Sequence, residues 1–169
     1  MNCLSCIQFR PTRYIFWLKR DHEDLYPNSL SNVFSTKDRE RTLTKDGRSN
    51  LFDYICGILY KSKCHPYRIN GIEDHIHIAT HIHPQVALST LVKNIKLATN
   101  EYIGKRRVFR DFSGWQTGYA AFTYSYRDKE ALIRYVLNQE EHHRTKSFID
   151  ELKELLEEHG VEFDERFLA

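Results

Sequence analysis

The sequence predicts an α+β domain in which an antiparallel sheet carries helices on one face, followed by further helices at the C-terminal end. Three observations support this class: one strand with clear alternation, amphipathic helices with an apolar stripe, and short extended runs between them. The 169 residues suffice for one domain with its own core. The hydrophobic fraction of 41% and the charged fraction of 28% argue against disordered and fibrous classes.

The first half of the chain is predicted to form a strand, a helix and two further strands. These elements cover residues 32–37, 49–63, 65–72 and 74–83. Ser49 is the predicted cap of the helix. The apolar face of that helix consists of Leu51, Ile55, Ile58 and Leu59. Asn70-Gly71 predicts a turn at the end of the second strand. The third strand alternates isoleucines with histidines until Pro84 stops it.

The second half is predicted to form a helix, a strand and two more helices. These elements cover residues 87–105, 118–125, 128–143 and 147–159. The first helix turns an apolar stripe inward, formed by Leu88, Leu91, Val92, Ile95 and Tyr102. Asp128 and Ser147 are the predicted caps of the last two helices, and Gly160 ends the final one. The order β-α-β-β-α-β followed by helices is that of a ferredoxin-like, or RRM-like, sheet.

Residues 1–30 differ from the rest of the chain. They lack clear periodicity and end in a breaker-rich stretch at residues 26–29. We expect an atypical N-terminal extension that could be poorly ordered, followed by one domain over residues 31–169. Cys3 and Cys6 form a CxxC that could be half of a zinc site or a redox pair. Because no second CxxC is present, chance placement is favoured.

Charge and targeting signals give few constraints on function. The net charge of +2 does not by itself predict nucleic-acid binding, so any basic surface must be local. The apolar run at residues 14–18 is much shorter than the roughly 20 residues that span a bilayer, so no membrane association is expected. No signal peptide is recognisable, and a reducing cytoplasm is the expected location.

The histidines of the predicted strand 74–83 are expected to share one face of the sheet. Side chains alternate along a strand, so the isoleucines would take the core side. The histidines concerned are His75, His77, His81 and His83. His75 and His77 are close enough to hold one ion, and imidazole suits Mg, Mn or Zn, with oxygen ligands favouring Mg or Mn. They could equally be surface histidines, and His81 and His83 could line a DNA groove or have no role.

Tyr135 is expected to lie on a polar stripe of the predicted helix 128–143. At about 100° per residue, the side chains near its line are Asp128, Gln139 and His142. A separate apolar face is formed by Ile133, Val136 and Leu137. A phenol so placed can attack phosphorus when a divalent ion polarises the phosphate, and Gln139 can offer that ion a carbonyl oxygen. The alternative is a tyrosine that packs its ring at the sheet edge.

Taken together, several segments resemble the single-tyrosine HUH transposases of single-strand insertion sequences, the IS-two-hundred-like type and its relatives associated with palindromic repeats. They follow the family's order and read VFSTKDR (33–39), GIEDHIHIATHIHP (71–84), LSTLVKNIKLATNEYI (88–103), WQTGYAAFTYS (115–125) and RYVLNQEEHHRTKSF (134–148). DERFL at residues 164–168 also resembles the family pattern. The resemblance therefore covers about residue 31 to the last residue.

The resemblance implies an HUH nuclease fold, a site and a reaction. His75 and His77 would be the HUH metal pair, Tyr135 the nucleophile and Gln139 the residue that completes the site, with Mg or Mn as the ion. The family binds imperfect hairpins at element ends and cuts single-stranded DNA beside them, which leaves a 5′-phosphotyrosine and a free 3′-OH. Strand transfer reverses that step, so no nucleotide cofactor is implied. Members are homodimers whose active sites are typically shared between subunits.

The resemblance also gives roles to local basic and aromatic residues. The expected backbone contacts are Lys93, Lys96, Lys105, Arg106, Arg107 and Arg110. Without the resemblance, these cations could form an ordinary solvated face. Trp115, Tyr119 and Phe122 could stack on unpaired bases, although such aromatics more often belong to a core, Phe122 first among them. The expected location is a bacterial or archaeal cytoplasm, close to the nucleoid.

Two positions depart from the family pattern. Relatives carry a full apolar strand before VFSTK, whereas residues 28–32 are mostly polar here, so the first strand is expected to be about five residues short. Such a defect beside the histidine strand could loosen the metal site, unless residues 14–18 supply a substitute strand. The family's GYGAF reads GYAAF at residues 118–122, which adds one methyl group.

Three functions fit these observations. The leading one is a metal-dependent DNA nickase and strand transferase. The second is a domesticated or inactive relative that binds hairpin DNA or RNA without cutting it. The third is a structural domain in which the histidines hold zinc and Tyr135 only packs. A covalent protein–DNA adduct that requires Tyr135 would separate the first function from the other two.

Overall fold

A computed structural model describes residues 29–164, which form one four-stranded sheet and five helices within that range. The strands are β1 (Ser29–Ser35), β2 (His65–Gly71), β3 (His75–His81) and β4 (Ala120–Tyr124). The helices are α1 (Lys45–Lys61), α2 (Leu88–Arg106), α3 (Lys129–Leu137), α4 (Gln139–His142) and α5 (Phe148–Glu158). Short 3₁₀ turns lie at Lys37–Arg39 and Tyr126–Asp128. The predicted α+β class and element order are confirmed.

The four strands pair antiparallel in the order β2-β3-β1-β4. This is the ferredoxin-like arrangement, in which the first and third strands occupy the centre of the sheet. β1 therefore lies beside the histidine strand β3, as the fold class requires. Along the part of the chain that the structure describes, no helix is long and apolar enough to cross a membrane.

The first strand is not short, contrary to the expectation from its polar residues. β1 has seven residues, as β3 has, and the two pair along their whole length from Ser29 opposite His81 to Ser35 opposite His75. Every residue of β1 is buried, because the strand is central and both faces of the sheet are covered there. A central strand with polar side chains gives little hydropathy signal, which explains the wrong start at Asn32. The substitute strand at residues 14–18 and the CxxC of Cys3 and Cys6 fall outside the described residues.

Other predicted boundaries shift for local reasons. Helix α1 begins at Lys45, after Thr44, so Ser49 is not its cap; the polar first turn and Gly47 concealed that start. Asn70-Gly71 belongs to β2, and the chain turns just afterwards. The predicted helix 128–143 is divided at Asn138, where φ is −93° and ψ is 14°. Ser147 caps α5 through the Asp150 N–H at 3.2 Å, as expected.

One face of the sheet packs an apolar core against α1 and α2. The buried core includes Phe34, Leu51, Ile55, Leu59, Ile76, Ile78, Leu91, Val92 and Ile95. The isoleucines of β3 point into it, as alternation predicts. Leu88 and Tyr102 are only partly buried at its edge.

The other face of the sheet is covered by the C-terminal helices. Leu132 and Val136 of α3 pack there with Tyr67 and Ala79. Leu137, expected on the apolar face of its helix, is 45% exposed, and Leu132 takes the inward position. The sheet is therefore buried on both sides, which decides the environment of every side chain on β3.

Candidate active site

His75 and His77 project from β3 on the face opposite the apolar core. Both side chains are 0% exposed, so the alternative of surface histidines on a wet face does not hold for this pair. They are buried because the segment from α3 to α5 folds over them: the Phe148 ring centroid lies 4.4 Å from that of His75. Close packing extends to Gly71, where a Cβ would come within 2.3 Å of the His75 carbonyl oxygen. The histidines thus line a closed polar pocket between sheet and helices.

His81 and His83 do not join the pair. β3 ends at His81, which is paired with Ser29 and His65 across the sheet. His83 lies beyond the strand, and its Nδ1 accepts from the Gln85 N–H at 3.3 Å. The predicted row of histidines therefore separates into an inner pair at the site and two partly exposed residues away from it.

Tyr135 and Gln139 reach the same pocket from α3 and α4. The Tyr135 ring centroid lies 5.8 Å from that of His77, within one chain. The Tyr135 hydroxyl donates to Glu151, and Gln139 Nε2 donates to Glu151 Oε1 at 3.0 Å. His142, the third member of the predicted stripe, also faces Glu151 Oε1, at 3.4 Å. Asp128 does not belong to the stripe, because it is exposed and accepts a bond from Ser125 Oγ at 2.6 Å.

Glu151 of α5 is the centre of the pocket, and sequence reasoning missed it. Its side chain is 3% exposed, and its second oxygen, Oε2, faces the histidines. The distances from Oε2 to imidazole Nε2 atoms are 3.1 Å for His143, 3.4 Å for His77 and 3.9 Å for His75. A signal was present: Phe148, Glu151 and Leu155 follow the spacing of a helix's apolar stripe, where a carboxylate is unexpected.

His143 is the second residue that sequence reasoning missed. Its side chain is 3% exposed, and its Nε2 lies 2.9 Å from Nε2 of His75. The other ring nitrogen, Nδ1, lies 3.0 Å from the Lys146 carbonyl oxygen. The two adjacent histidines therefore lie in different surroundings: His142 lies at the partly exposed rim and His143 inside the pocket.

Burial sets the charges of the pocket. Burial lowers the pKa of His75 to about 4, although the hydrogen bond with Asp74 acts in the opposite direction. This imidazole is therefore neutral at neutral pH. Burial alone would raise the pKa of Glu151. The contacts with His143 and His77 have the larger combined effect, so the pKa of Glu151 is lowered. Burial and the charge of Glu151 raise the pKa of Tyr135. An ionised carboxylate thus faces a neutral imidazole and a protonated phenol.

This donor set fits a divalent metal ion. His75, His77, His143 and Glu151 each offer one ligand atom, and these atoms lie within 4.8 Å of one another. Within residues 29–164, several buried polar atoms of the pocket lack a hydrogen-bond partner, namely both ring nitrogens of His77, Oε1 of Gln139 and Oε2 of Glu151. Buried polar atoms are normally satisfied, so their number here indicates a place for a cation. Neutral imidazole and carboxylate are ordinary ligands of such ions.

Comparison with known proteins assigns the family. The sequence model described as "Transposase IS200 like" matches residues 26–139, two thirds of the chain. The chain belongs to the IS200-like transposase family. Membership implies a DNA-processing enzyme of a mobile element. The matched region contains His75, His77, Tyr135 and Gln139, whereas His143 and Glu151 lie beyond it.

Solved structures support the fold of this IS200-like transposase. A proposed transposase from Deinococcus radiodurans R1 shares 20% identity over 72% of this chain and 97% of its own, with a TM-score of 0.55. A REP-associated tyrosine transposase bound to a REP hairpin shares 12% identity over 73% of each chain, with a TM-score of 0.55. At these identities the likeness shows the fold alone. No curated protein matches the sequence.

The predicted DNA contacts of this transposase fall into two groups. Lys93, Arg106, Arg107 and Arg110 are exposed, and Lys105 is exposed but paired with Glu101. Lys96 instead donates to the carbonyl oxygens of Gln116, at 2.9 Å, and Gly118. Trp115 is half-buried, donates from Nε1 to Thr99 at 2.9 Å and packs edge-on against Phe34. Lys96 and Trp115 therefore hold the loop before β4 against the domain.

The other two aromatic candidates also differ. Phe122 is 3% exposed and belongs to the interior, as expected. Tyr119 is 40% exposed, which leaves its ring accessible to a ligand.

Proposed function

We propose that this chain cleaves and rejoins single-stranded DNA at hairpin-marked ends of a mobile element, with Tyr135 as the nucleophile. One observation carries the proposal: the Tyr135 hydroxyl and the buried pair His75 and His77 converge on one carboxylate within a single protomer. A phenol beside a metal-binding cluster suits covalent attack on a phosphodiester. Family membership supports the reaction class, and the relative bound to a REP hairpin supports the substrate class.

The proposed reaction exchanges one ester for another. The Tyr135 oxygen bonds to phosphorus as the bond from phosphorus to the 3′-oxygen breaks, giving a 5′-phosphotyrosine and a 3′-OH. Glu151 accepts the phenol's hydrogen bond and so orients the Tyr135 oxygen; the phenol's proton passes to solvent, and solvent protonates the leaving 3′-oxygen. A divalent ion, Mg²⁺ or Mn²⁺ in the prediction, would be held by His75, His77 and Gln139 and would offset charge on the phosphate. The reverse attack by a 3′-OH rejoins DNA without a nucleotide cofactor.

A covalent adduct tests the proposal directly. The protein is incubated with a labelled single strand that contains a hairpin, with Mg²⁺ or Mn²⁺, and resolved on a denaturing gel. The expected result is an adduct that disappears in Tyr135→Phe, while hairpin affinity stays within about 3-fold, since the lost hydroxyl acts on the cut phosphate and not the stem. His77→Ala should likewise remove the adduct and largely spare hairpin binding. Hairpin binding without any adduct from the unmodified protein would indicate an inactive relative.

The same assay tests how subunits share the site. In a single chain, Tyr135 already reaches His77, although the resemblance favours a homodimer with shared sites. Mixing Tyr135→Phe with His77→Ala protein distinguishes the two arrangements. Adduct formation only in the mixture requires an intact tyrosine and an intact histidine pair from different chains. Absence of adduct in the mixture, with a mixed dimer verified, indicates that each chain uses its own tyrosine.

The DNA interface is proposed to include the exposed cations Lys93, Arg106, Arg107 and Arg110, with Lys105 contributing less because Glu101 neutralises it. Each lysine or arginine that meets a phosphate releases about one counterion, so its removal lowers the salt dependence of binding by about one unit of slope. Hairpin affinity measured against salt concentration for Arg106→Ala and Lys105→Ala should show the larger change in slope for Arg106.

A further inference from the structure

The histidines of the pocket are oriented as metal ligands by groups outside it. His75 Nδ1 lies 2.6 Å from the Asp74 carboxylate, and His143 Nδ1 lies 3.0 Å from the Lys146 carbonyl oxygen. Both partners accept hydrogen bonds, so each Nδ1 carries a proton, and in the neutral imidazole Nε2 presents a lone pair. A carboxylate or carbonyl on the outer nitrogen is the usual support of a metal-bound histidine.

The inner nitrogen atoms of His75 and His143 face one another. Nε2 of His75 and Nε2 of His143 are 2.9 Å apart, and both lie close to Glu151 Oε2. Two lone pairs and a carboxylate oxygen repel each other unless a positive charge lies among them. His77 adds a third imidazole, fully buried and without a hydrogen bond in the described part of the chain. A metal ion among these atoms would satisfy all of them.

The spacing of the four groups suits one ion. Bonds of about 2.1 Å at tetrahedral angles place ligand atoms about 3.4 Å apart. Between the inner nitrogens and Glu151 Oε2 the distances are 3.1, 3.4 and 3.9 Å. These values bracket the spacing, and all four ligand atoms lie within 4.8 Å of one another.

Gln139 lies beside this arrangement, and its Oε1 has no hydrogen-bond partner in the described part of the chain. Its Nε2 donates to Glu151 Oε1, the oxygen that also accepts from Tyr135, and not to the oxygen that faces the histidines. Glu151 is thus a bridge with two sides: Oε2 toward the histidines and Oε1 toward the nucleophile. Through its Nε2 hydrogen bond, Gln139 supports the carboxylate.

We propose that His143 and Glu151 complete the metal site with His75 and His77, and that Glu151 joins the ion to Tyr135. The inference rests on the proposed function only for the role of Tyr135. It assigns half of the ligands to the segment after residue 139, where the family match ends. Three imidazoles and one carboxylate favour a first-row transition ion such as Mn²⁺ over Mg²⁺, which prefers oxygen ligands and retained waters.

Metal binding tests the ligand set without any DNA. Titration calorimetry on the full chain with MnCl₂ compares the unmodified protein with Glu151→Gln, His143→Gln and Gln139→Leu. Glu158→Gln, an exposed glutamate on the same helix, is the matched control. We expect Mn²⁺ affinity to fall by more than about 10-fold in Glu151→Gln and His143→Gln, since even outer-shell partners cost 10- to 100-fold. The loss of Mn²⁺ affinity in Gln139→Leu should be smaller than in either of these variants. The Mn²⁺ affinity of Glu158→Gln should be unchanged.

Several outcomes would overturn the inference. One is a loss of Mn²⁺ binding in Gln139→Leu with normal binding in Glu151→Gln and His143→Gln. Another is an unmodified protein that binds Mg²⁺ as tightly as Mn²⁺, or that binds no ion. Glu151→Gln keeps the side-chain shape and an acceptor for Tyr135, and circular dichroism verifies its fold. If Glu151→Gln does not fold, the Mn²⁺ affinity of His143→Gln tests the ligand set instead.

The adduct assay separates this inference from the proposed function. If Mn²⁺ binding depends on His143 and Glu151 but no adduct forms, the ligand set stands and the transposase reaction fails. If the adduct forms with equal yield and equal Mn²⁺ requirement in His143→Gln, the reaction stands and the ligand set fails. The two results are therefore independent.

Discussion

The two faces of β3 are equally buried and chemically opposite. Ile76 and Ile78 pack into the core beneath α1 and α2, while His75 and His77 lie in the polar pocket beneath the C-terminal helices; none of the four is more than 1% exposed. Apolar burial stabilises a fold by about 25 cal/mol per Å², whereas buried polar groups contribute nothing unless they are satisfied. The comparison indicates that one face holds the domain together and the other maintains a site at the expense of stability.

The largest expected effect lies on the apolar face. Ile76→Ala removes three buried carbons from a packed core, and such truncations lower the free energy of unfolding by about 2–5 kcal/mol. Urea unfolding monitored by circular dichroism gives the value. Ile82, which lies beyond β3 and is only partly buried, is the control, and Ile82→Ala should cost less.

Adding the metal ion to the urea unfolding experiment tests whether the two faces of β3 are independent. An ion that binds only the folded state at 100 times its Kd adds about 2.7 kcal/mol to the unfolding free energy. If the two faces are independent, Ile76→Ala keeps this increment despite its lower stability; Ile76 lies between His75 and His77 along β3, so the measurement tests coupling between direct neighbours. A variant that loses core packing and the metal increment together would show that the faces act as one unit.

The difference between the faces also explains what the sequence could predict. The apolar face follows from the periodicity of the apolar residues. The inward orientation of the isoleucines, the position of α2 and the order of the elements were therefore predictable. β1 was misjudged at its start because Ser29, Ser31 and Asn32 are buried by pairing on both sides, which hydropathy does not detect. The length of a central strand depends on its neighbours and not on its own residues.

On the polar face, only the residues that belong to a recognisable motif could be predicted. His75, His77, Tyr135 and Gln139 follow from the HxH pattern and the resemblance, and the structure brings all four together. Glu151 and His143 follow from no local rule, because their role depends on α5 folding back over the sheet. The same folding back of α5 buries His75 and His77, which rules out the alternative of surface histidines. An acidic residue within an apolar stripe was the available signal.

A smaller effect is expected from a misplaced polar residue on the apolar face. Asn32 of β1 is paired with Ile78, is 1% exposed, and its Oδ1 has no hydrogen-bond partner within residues 29–164. A buried unsatisfied group costs about 1–3 kcal/mol, so Asn32→Val should raise the free energy of unfolding by about 1 kcal/mol. Asn32→Asp would introduce a charge at the same position and should lower it. A destabilised Asn32→Val would mean that the amide serves a purpose on this face.

The smallest effect is expected at the rim of the polar pocket. The His142 side chain is 31% exposed and approaches Oε1 of Glu151, on the side of the carboxylate away from the other histidines. Exposed contacts of this kind contribute little, so His142→Ala should change the free energy of unfolding by less than about 0.5 kcal/mol. Its Mn²⁺ affinity should match the unmodified protein, whereas the neighbouring His143→Gln loses affinity. Equal losses at the two adjacent histidines would place the ion between them, at the rim, and the inner pocket would then not be the metal site.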